Sequence, residues 1–340
     1  MSNLVPQLKR ERLPYLDYAR VFVMYLVIFG HLLLNDDTTI RPYIYSFHMP
    51  FFFLVSGMLH KDRGGIAWNK YWKTLIVPFL LFNFLFFILW PLCWKIGIWG
   101  PSSKFDSSSG FISIYLCFFK QLLINFLYGK APADGPTWFL VALLWCKVLT
   151  DCLCRNRWRA IILITILAIV GAILLFGFNH RTFLRINNAL MVLPFFYGGF
   201  KYKEQIQQWC SKRWALIFGV VLLLLNIPCT LVNGKISTDA VRFGQLATPV
   251  CALVFYFNAF SCSLGLLAIC MQFPAKKYVT ISARALITIL CMQNFFCYTY
   301  RHLCDQTNIS LITVTSALIF IACVLIHQLL EKYFPFTIGK

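Results

Sequence analysis

IVPFLLFNFLFFILWPLCW (76–94) and AIILITILAIVGAILLFGF (160–178) contain no charged residue. Each comes close to the ~20 apolar residues that a helix needs to cross the hydrocarbon of a bilayer. Lipid offers no partners to backbone amides, so an isolated apolar run of this length pairs its own N–H and C=O groups as a helix. Working outward, eight further apolar runs lie at 15–34, 43–59, 137–154, 186–200, 214–232, 247–271, 285–303 and 309–330. The expectation is an all-α polytopic membrane protein of about ten transmembrane helices, forming one transmembrane domain over 1–340 with no soluble domain.

Composition agrees. Of 340 residues, 59% are hydrophobic and only 13% charged, where a soluble domain carries about a quarter. A soluble two-domain enzyme, a disordered chain and a fibrous chain are excluded. The net charge of +19 is spread in short clusters between apolar runs, without a basic stripe interleaved with exposed aromatics, so no nucleic-acid partner is expected. The 14 Cys lie mostly inside apolar runs, as small buried hydrophobes do, and no paired knuckles of zinc spacing occur. No metal site is expected.

Basic residues set the orientation. With residues 1–14 as a cytoplasmic segment, ten spans put 19 Lys and Arg inside, among them Lys61, Arg63, Lys70, Lys73, Arg155, Arg157 and Arg159. Ten fall outside, including Arg41, Arg185, Lys235 and Arg301. That asymmetry follows the positive-inside rule and makes both termini cytoplasmic. Segment 111–128 is also apolar, but Lys120, Gln121 and Asn125 interrupt it. Counting it as a span would place Arg155, Arg157 and Arg159 outside. It is therefore read as an interfacial helix within an outer loop, 95–136.

Ionisable groups inside spans are costly and mark functional sites. At ~100° per residue, Asp17 and Arg20 stand roughly 60° apart on the first helix and Arg20 and His31 about 20° apart, so all three share a stripe. Asp17 and Arg20 can form a structural ion pair or touch substrate. His31 lies about 4.5 Å from the outer end of its span and His48 about 7.5 Å below the same rim of the next. Two histidines at similar depth on neighbouring helices form a candidate proton-transfer site. Trp138 is either a belt anchor or a platform for a sugar. Arg301 and His302 either contact an acceptor or snorkel to the surface, and the second reading is favoured.

RLPYLDYARVFVMYLVIFGH (12–31), FHMPFFFLVSGML (47–59), TWFLVALL (137–144) and LPFFYGGF (193–200) together resemble the acyltransferase-3 family of multi-span membrane O-acyltransferases. The resemblance implies ten core helices and transfer of an acyl group, commonly acetyl from acetyl-CoA, to a hydroxyl of a cell-surface or exported glycan. It also implies the inner (cytoplasmic) membrane. Carried over, His31 takes the essential histidine position, His48 the second-span histidine, Asp17 and Arg20 the first-helix pair, and Ser56 and Gly57 the Ser-Gly turn. Trp138 takes the Trp-Phe-Leu position.

The chain departs from the family in two places. KYWKTLIVP (70–78) supplies Lys70 and Lys73 where arginines are usual, and SARALITILCMQNFF (282–296) supplies Gln293 and Asn294 where many relatives carry a late histidine. Acyl-CoA contact is thus assigned to Lys61, Arg63, Lys70 and Lys73, with Arg155, Arg157 and Arg159 as alternates, and acceptor contact to Trp138, Gln293 and Asn294. Acetyl-CoA is a co-substrate; no permanently bound cofactor is expected. The partners are a glycan or lipid-linked sugar and the bilayer. A transporter or flippase of a polysaccharide intermediate is the alternative, with Asp17, Arg20, His31 and His48 lining its path; a structural subunit of a glycan-synthesis complex is a third.

The charge count makes a direct prediction. In a cysteine-depleted background, an impermeant thiol reagent added from outside should label position 108 and not position 157; the reverse pattern would refute the orientation.

Overall fold

The computed structural model describes residues 12–33, 39–98, 110–127, 135–153, 157–177, 182–236, 238, 246–304 and 308–340. Among these, every regular element is helical and no strand occurs. The chain begins with α1 (Pro14–Leu32) and α2 (Ile40–Met58). A short α3 (Trp68–Tyr71) runs through a wide π turn (Trp72–Ile76) into α4 (Val77–Lys95). Then come α5 (Phe111–Leu127), α6 (Trp138–Leu153), α7 (Arg157–Ala172), α8 (Ile186–Lys201) and a short α9 (Lys203–Cys210). The last five are α10 (Arg213–Asn233), α11 (Thr248–Cys270), α12 (Lys277–Arg284), α13 (Leu286–Leu303) and α14 (Ile309–Tyr333).

A helix stands at each of the ten apolar runs. Seven of these segments are long and apolar enough to cross a membrane, and eight if α12 and α13, bent by 70°, count as one broken span. The molecule is thus a multi-pass helical protein. α2 and α8 fall short for a physical reason. α8 has 16 residues, about 24 Å of helix, and both helices carry polar groups that their neighbours cover: Ser46 and His48 on α2, Asn187 and Asn188 on α8. Within segment 111–128, α5 (Phe111–Leu127) forms a helix, as expected, lying against α4, where Tyr115 donates to the Ile88 carbonyl (2.9 Å). Ser107–Ser109, expected on the outer side, lie outside the described residues.

The periphery is apolar in the way a lipid-facing surface must be. On α14 the exposed side chains Leu311, Val314, Leu318, Ile321, Leu325 and Leu329 recur at intervals of three and four, one face of a helix. In water such a continuous apolar face would demand a partner; hydrocarbon covers it without one.

At the centre α2 and α8 touch backbone to backbone. A Cβ on Gly57 would come 1.9 Å from the Phe196 carbonyl oxygen, and one on Gly199 2.0 Å from that of Leu54. Small residues permit this approach, and close packing is what drives helix association in lipid. Interhelical hydrogen bonds add to it: Asn226 of α10 donates to Ser46 Oγ on α2 (3.0 Å), and Asn83 of α4 to Thr137 Oγ1 just before α6 (3.1 Å).

Because backbone atoms are the obstacle, Gly57→Ala or Gly199→Ala should destabilise the bundle by about 3 kcal/mol, the upper end of ordinary overpacking. Gly65→Ala, which meets nothing within 4 Å, should stay within about 0.5 kcal/mol of the parent. Thermal unfolding in detergent compares the three.

Candidate active site

Chain direction decides which residues meet. α1 and α13 end where α2, α6 and α8 begin, and a cavity of about 220 Å³ opens at that end of the bundle, with His31, Tyr45, His48, Trp138, Asn294 and Arg301 in its wall. Four residues singled out from the sequence, His31, His48, Trp138 and Asn294, therefore share one chamber. Gln293 does not join them. One residue along α13 turns a side chain by about 100°, and Gln293 is fully buried outside the cavity wall, its amide without a hydrogen-bond partner among the described residues.

Tyr45 stands between the histidines. Its hydroxyl lies 3.4 Å from His31 Nδ1, and its ring centroid lies 4.9 Å from that of His48 and 6.2 Å from that of His31. His48 Nδ1 donates to the Ile44 carbonyl (2.8 Å). A carbonyl can only accept, so the neutral imidazole carries its lone pair on Nε2. His31 is held differently: Arg301 donates from Nε to the His31 carbonyl (2.9 Å) and again from Nη2. Arg301 thus does not snorkel to the membrane surface. It satisfies a carbonyl in the last turn of α1, where helix geometry leaves C=O groups without intrahelical partners. Nor is Trp138 a belt anchor. It is buried, with the Arg185 guanidinium carbon 5.6 Å from its ring centroid.

A second cavity, of about 400 Å³, sits at the other end of α1, with Arg12, Asp17, Arg20, His60, Lys61 and Lys203 in its wall. Asp17 is 2% exposed and accepts from Arg12 Nε (2.8 Å) and from Arg20 Nη2. The pair read from the i, i+3 spacing is therefore real and is part of a triad. Of the four residues assigned to acyl-CoA, only Lys61 reaches this cavity; Arg63, Lys70 and Lys73 are exposed and outside its wall. Arg155 lies outside the described residues. His31 stands eleven positions after Arg20, about 16.5 Å along the helix.

Sequence reasoning missed a polar cluster beside this second cavity. His60 Nε2 is 2.8 Å from Asp151 Oδ1, and the Tyr71 hydroxyl donates to Asp151 Oδ2 (2.5 Å). Burial pushes the His60 imidazole below its usual range, and the Asp151 carboxylate offsets only part of that. A signal was available: His60 follows the second span and Asp151 closes the fourth, so an up-and-down topology brings both to one end.

With this geometry in view, comparison with known proteins gives one result. A family profile described as an acyltransferase domain, that of the acyltransferase-3 family, matches residues 13–328. The chain belongs to this family and is a membrane acyltransferase. No curated protein and no solved structure matches it.

The Asp17 triad yields a stability prediction. Asp17→Ala would leave two guanidinium groups facing each other, Arg20 with 21% of its side chain exposed. Removing one partner of a buried pair costs about 3 kcal/mol where the survivor keeps some solvent. Thermal unfolding in detergent should register that loss, and the Asp17→Ala/Arg20→Ala double variant should recover part of it.

Proposed function

We propose that this protein is an O-acetyltransferase of the inner (cytoplasmic) membrane that moves acetyl from acetyl-CoA to a hydroxyl of a cell-surface or exported glycan. The observation that carries the proposal is the outer cavity, where two histidines and a buried tryptophan share a chamber large enough for part of a sugar. The orientation is the one set by the basic residues, with ten crossings, both termini cytoplasmic and α5 at the interface.

In this reading the CoA phosphates bind the cytoplasmic cations: Lys61, Arg63, Lys70 and Lys73. The inner cavity supports a donor site on that side, because Arg12, Arg20 and Lys203 join Lys61 there. The pantetheine arm, a flexible chain, carries the thioester along α1 towards His31. His31 takes the proton of the acceptor hydroxyl as its oxygen attacks the thioester carbonyl. The C–S bond then breaks, and the proton passes to the CoA thiolate. One positioned base suffices for this direct transfer. Tyr45, next to His31 Nδ1, and Arg301, on the His31 carbonyl, position the imidazole. His48 orients the acceptor.

Loss of a general base costs about 10²–10⁴-fold in rate, whereas a supporting hydrogen bond is worth ~0.5–1.5 kcal/mol, about tenfold at most. Membranes holding the protein should therefore transfer radiolabel from acetyl-CoA to a glycan fraction. His31→Ala should lose that activity and His48→Gln should retain at least about a tenth of it. A dead His48→Gln beside an active His31→Gln would reverse the two roles. Glycan translocation without label transfer would favour the transporter.

A further inference from the structure

A further cavity, of about 630 Å³, lies between α7, α8 and α11, within the size range of small-molecule sites. Small side chains make the space: Ala168 and Ala172, one turn apart on α7, and Ala252 on α11. Ile169, Ile173 and Leu253 also line it and are 54%, 49% and 70% exposed. The cavity is therefore a groove that opens on the apolar flank of the bundle, where the surrounding medium is hydrocarbon.

The walls hold out no hydrogen-bond donor. Among the described residues two lining side chains carry a polar group, and each has committed its proton to a backbone carbonyl. Thr165 donates to Ile161 (2.9 Å) and Tyr256 to Met191 (2.7 Å). A water molecule needs two to four polar partners to stay in a cavity, whereas a hydrocarbon chain needs none.

Depth orients the occupant. From Pro249 to Phe260 the wall runs along α11 for about 16.5 Å, roughly half of the ~30 Å hydrocarbon core. Tyr256 bonds to Met191, and the Phe260 ring lies 4.3 Å from that of Phe195, so α11 runs alongside α8 in the same direction. On the other side a Cβ at Gly171 of α7 would come 2.9 Å from the Asn187 carbonyl oxygen. The groove thus flanks the first turns of α8, which begins at Ile186 directly after Arg185 of the His31–His48 cavity. A chain lying in it occupies one leaflet, with its polar head at the end of the bundle where that cavity opens.

We propose that this groove binds the hydrocarbon tail of the acceptor, which is a lipid-linked sugar. The tail lies between α7 and α11, and the sugar passes round the start of α8 to reach His31. The inference rests on the acyltransferase reading and adds to it the form in which the acceptor is presented.

The test starts with membranes holding the protein, pulsed with radiolabelled acetyl-CoA and extracted with chloroform–methanol. Label should appear first in the organic phase, on a glycolipid identified by mass spectrometry. With that glycolipid as acceptor, Ala172→Leu and Ala252→Leu, which fill the groove, should each raise its KM about tenfold or more, the loss of about two buried methylenes. KM for acetyl-CoA and kcat should stay within about twofold, because tail anchoring is uniform binding of ground and transition states. Ile166→Phe, on the exposed side of α7, should leave all three unchanged.

A binding arm decides the matter even where the filled variants fail to accumulate. Hexadecyl phosphate bearing a diazirine near the end of its chain should cross-link the purified parent protein at the peptides holding Ile169, Ile173 and Leu253. The isolated glycolipid should displace it, and phosphatidylethanolamine at the same concentration should not. Equal displacement by the two lipids, or no cross-link at these peptides, overturns the proposal. So does label confined from the first time point to lipid-free glycan, which leaves acyl transfer intact. Absence of any label transfer by the parent protein removes the acyltransferase reading, and the proposal with it.

Discussion

The backbones of α2 and α8 meet at Gly57 and Gly199 with no side chain between them, and much of the remaining architecture follows from that contact. Hydrocarbon gives helices no hydrophobic reason to associate, so close packing and interhelical hydrogen bonds hold a bundle together. With α2 and α8 locked near their C-terminal ends, their N-terminal ends carry Tyr45 and His48 on one helix and Arg185 just ahead of the other. α10 ties into the pair through Asn226 and Ser46. The cavity holding His31 and His48 is the space these N-terminal ends leave between the last turns of α1 and α13.

Polar groups in such a bundle concentrate at its two ends, and the ends differ in kind. The cavity at the Arg12–Arg20 end places a carboxylate among its arginines, and Asp17 is shared between Arg12 and Arg20. Nearby, Asp151 takes bonds from both His60 and Tyr71. The wall of the cavity at the other end combines His31 and His48 with Tyr45, Trp138, Arg185 and Arg301.

What could be read from the chain before its structure followed from periodicity and charge. Apolar runs located the helices, and depth along α1 and α2 brought His31 and His48 to one level. Motif positions added Trp138 and Asn294, both of which line the cavity. Other features depend on quantities that spacing does not encode. Arg185 counted only as an outer-loop charge, since its burial arises from a left-handed turn ahead of α8. Gln293 and Asn294 looked equivalent, yet the rotation of α13 admits only the second to the chamber. Arg301 had two plausible destinations, and the bend between α12 and α13 that helps to set its place is not visible in hydropathy. α2 and α8 are buried on nearly all sides, so they tolerate polar residues and shortness that a lipid-exposed span would not.

The attachment of Arg301 to the main chain of residue 31 has a practical corollary. Replacing the imidazole leaves that carbonyl in place, and the last turn of α1 stays moored to α13 whatever side chain the position carries. Position 31 is thus insulated: its substitutions interrogate chemistry with little confounding from architecture. Position 301 is the opposite. There a change frees the end of α1 without touching the imidazole, so the two positions separate the proposed general base from the scaffold that holds it.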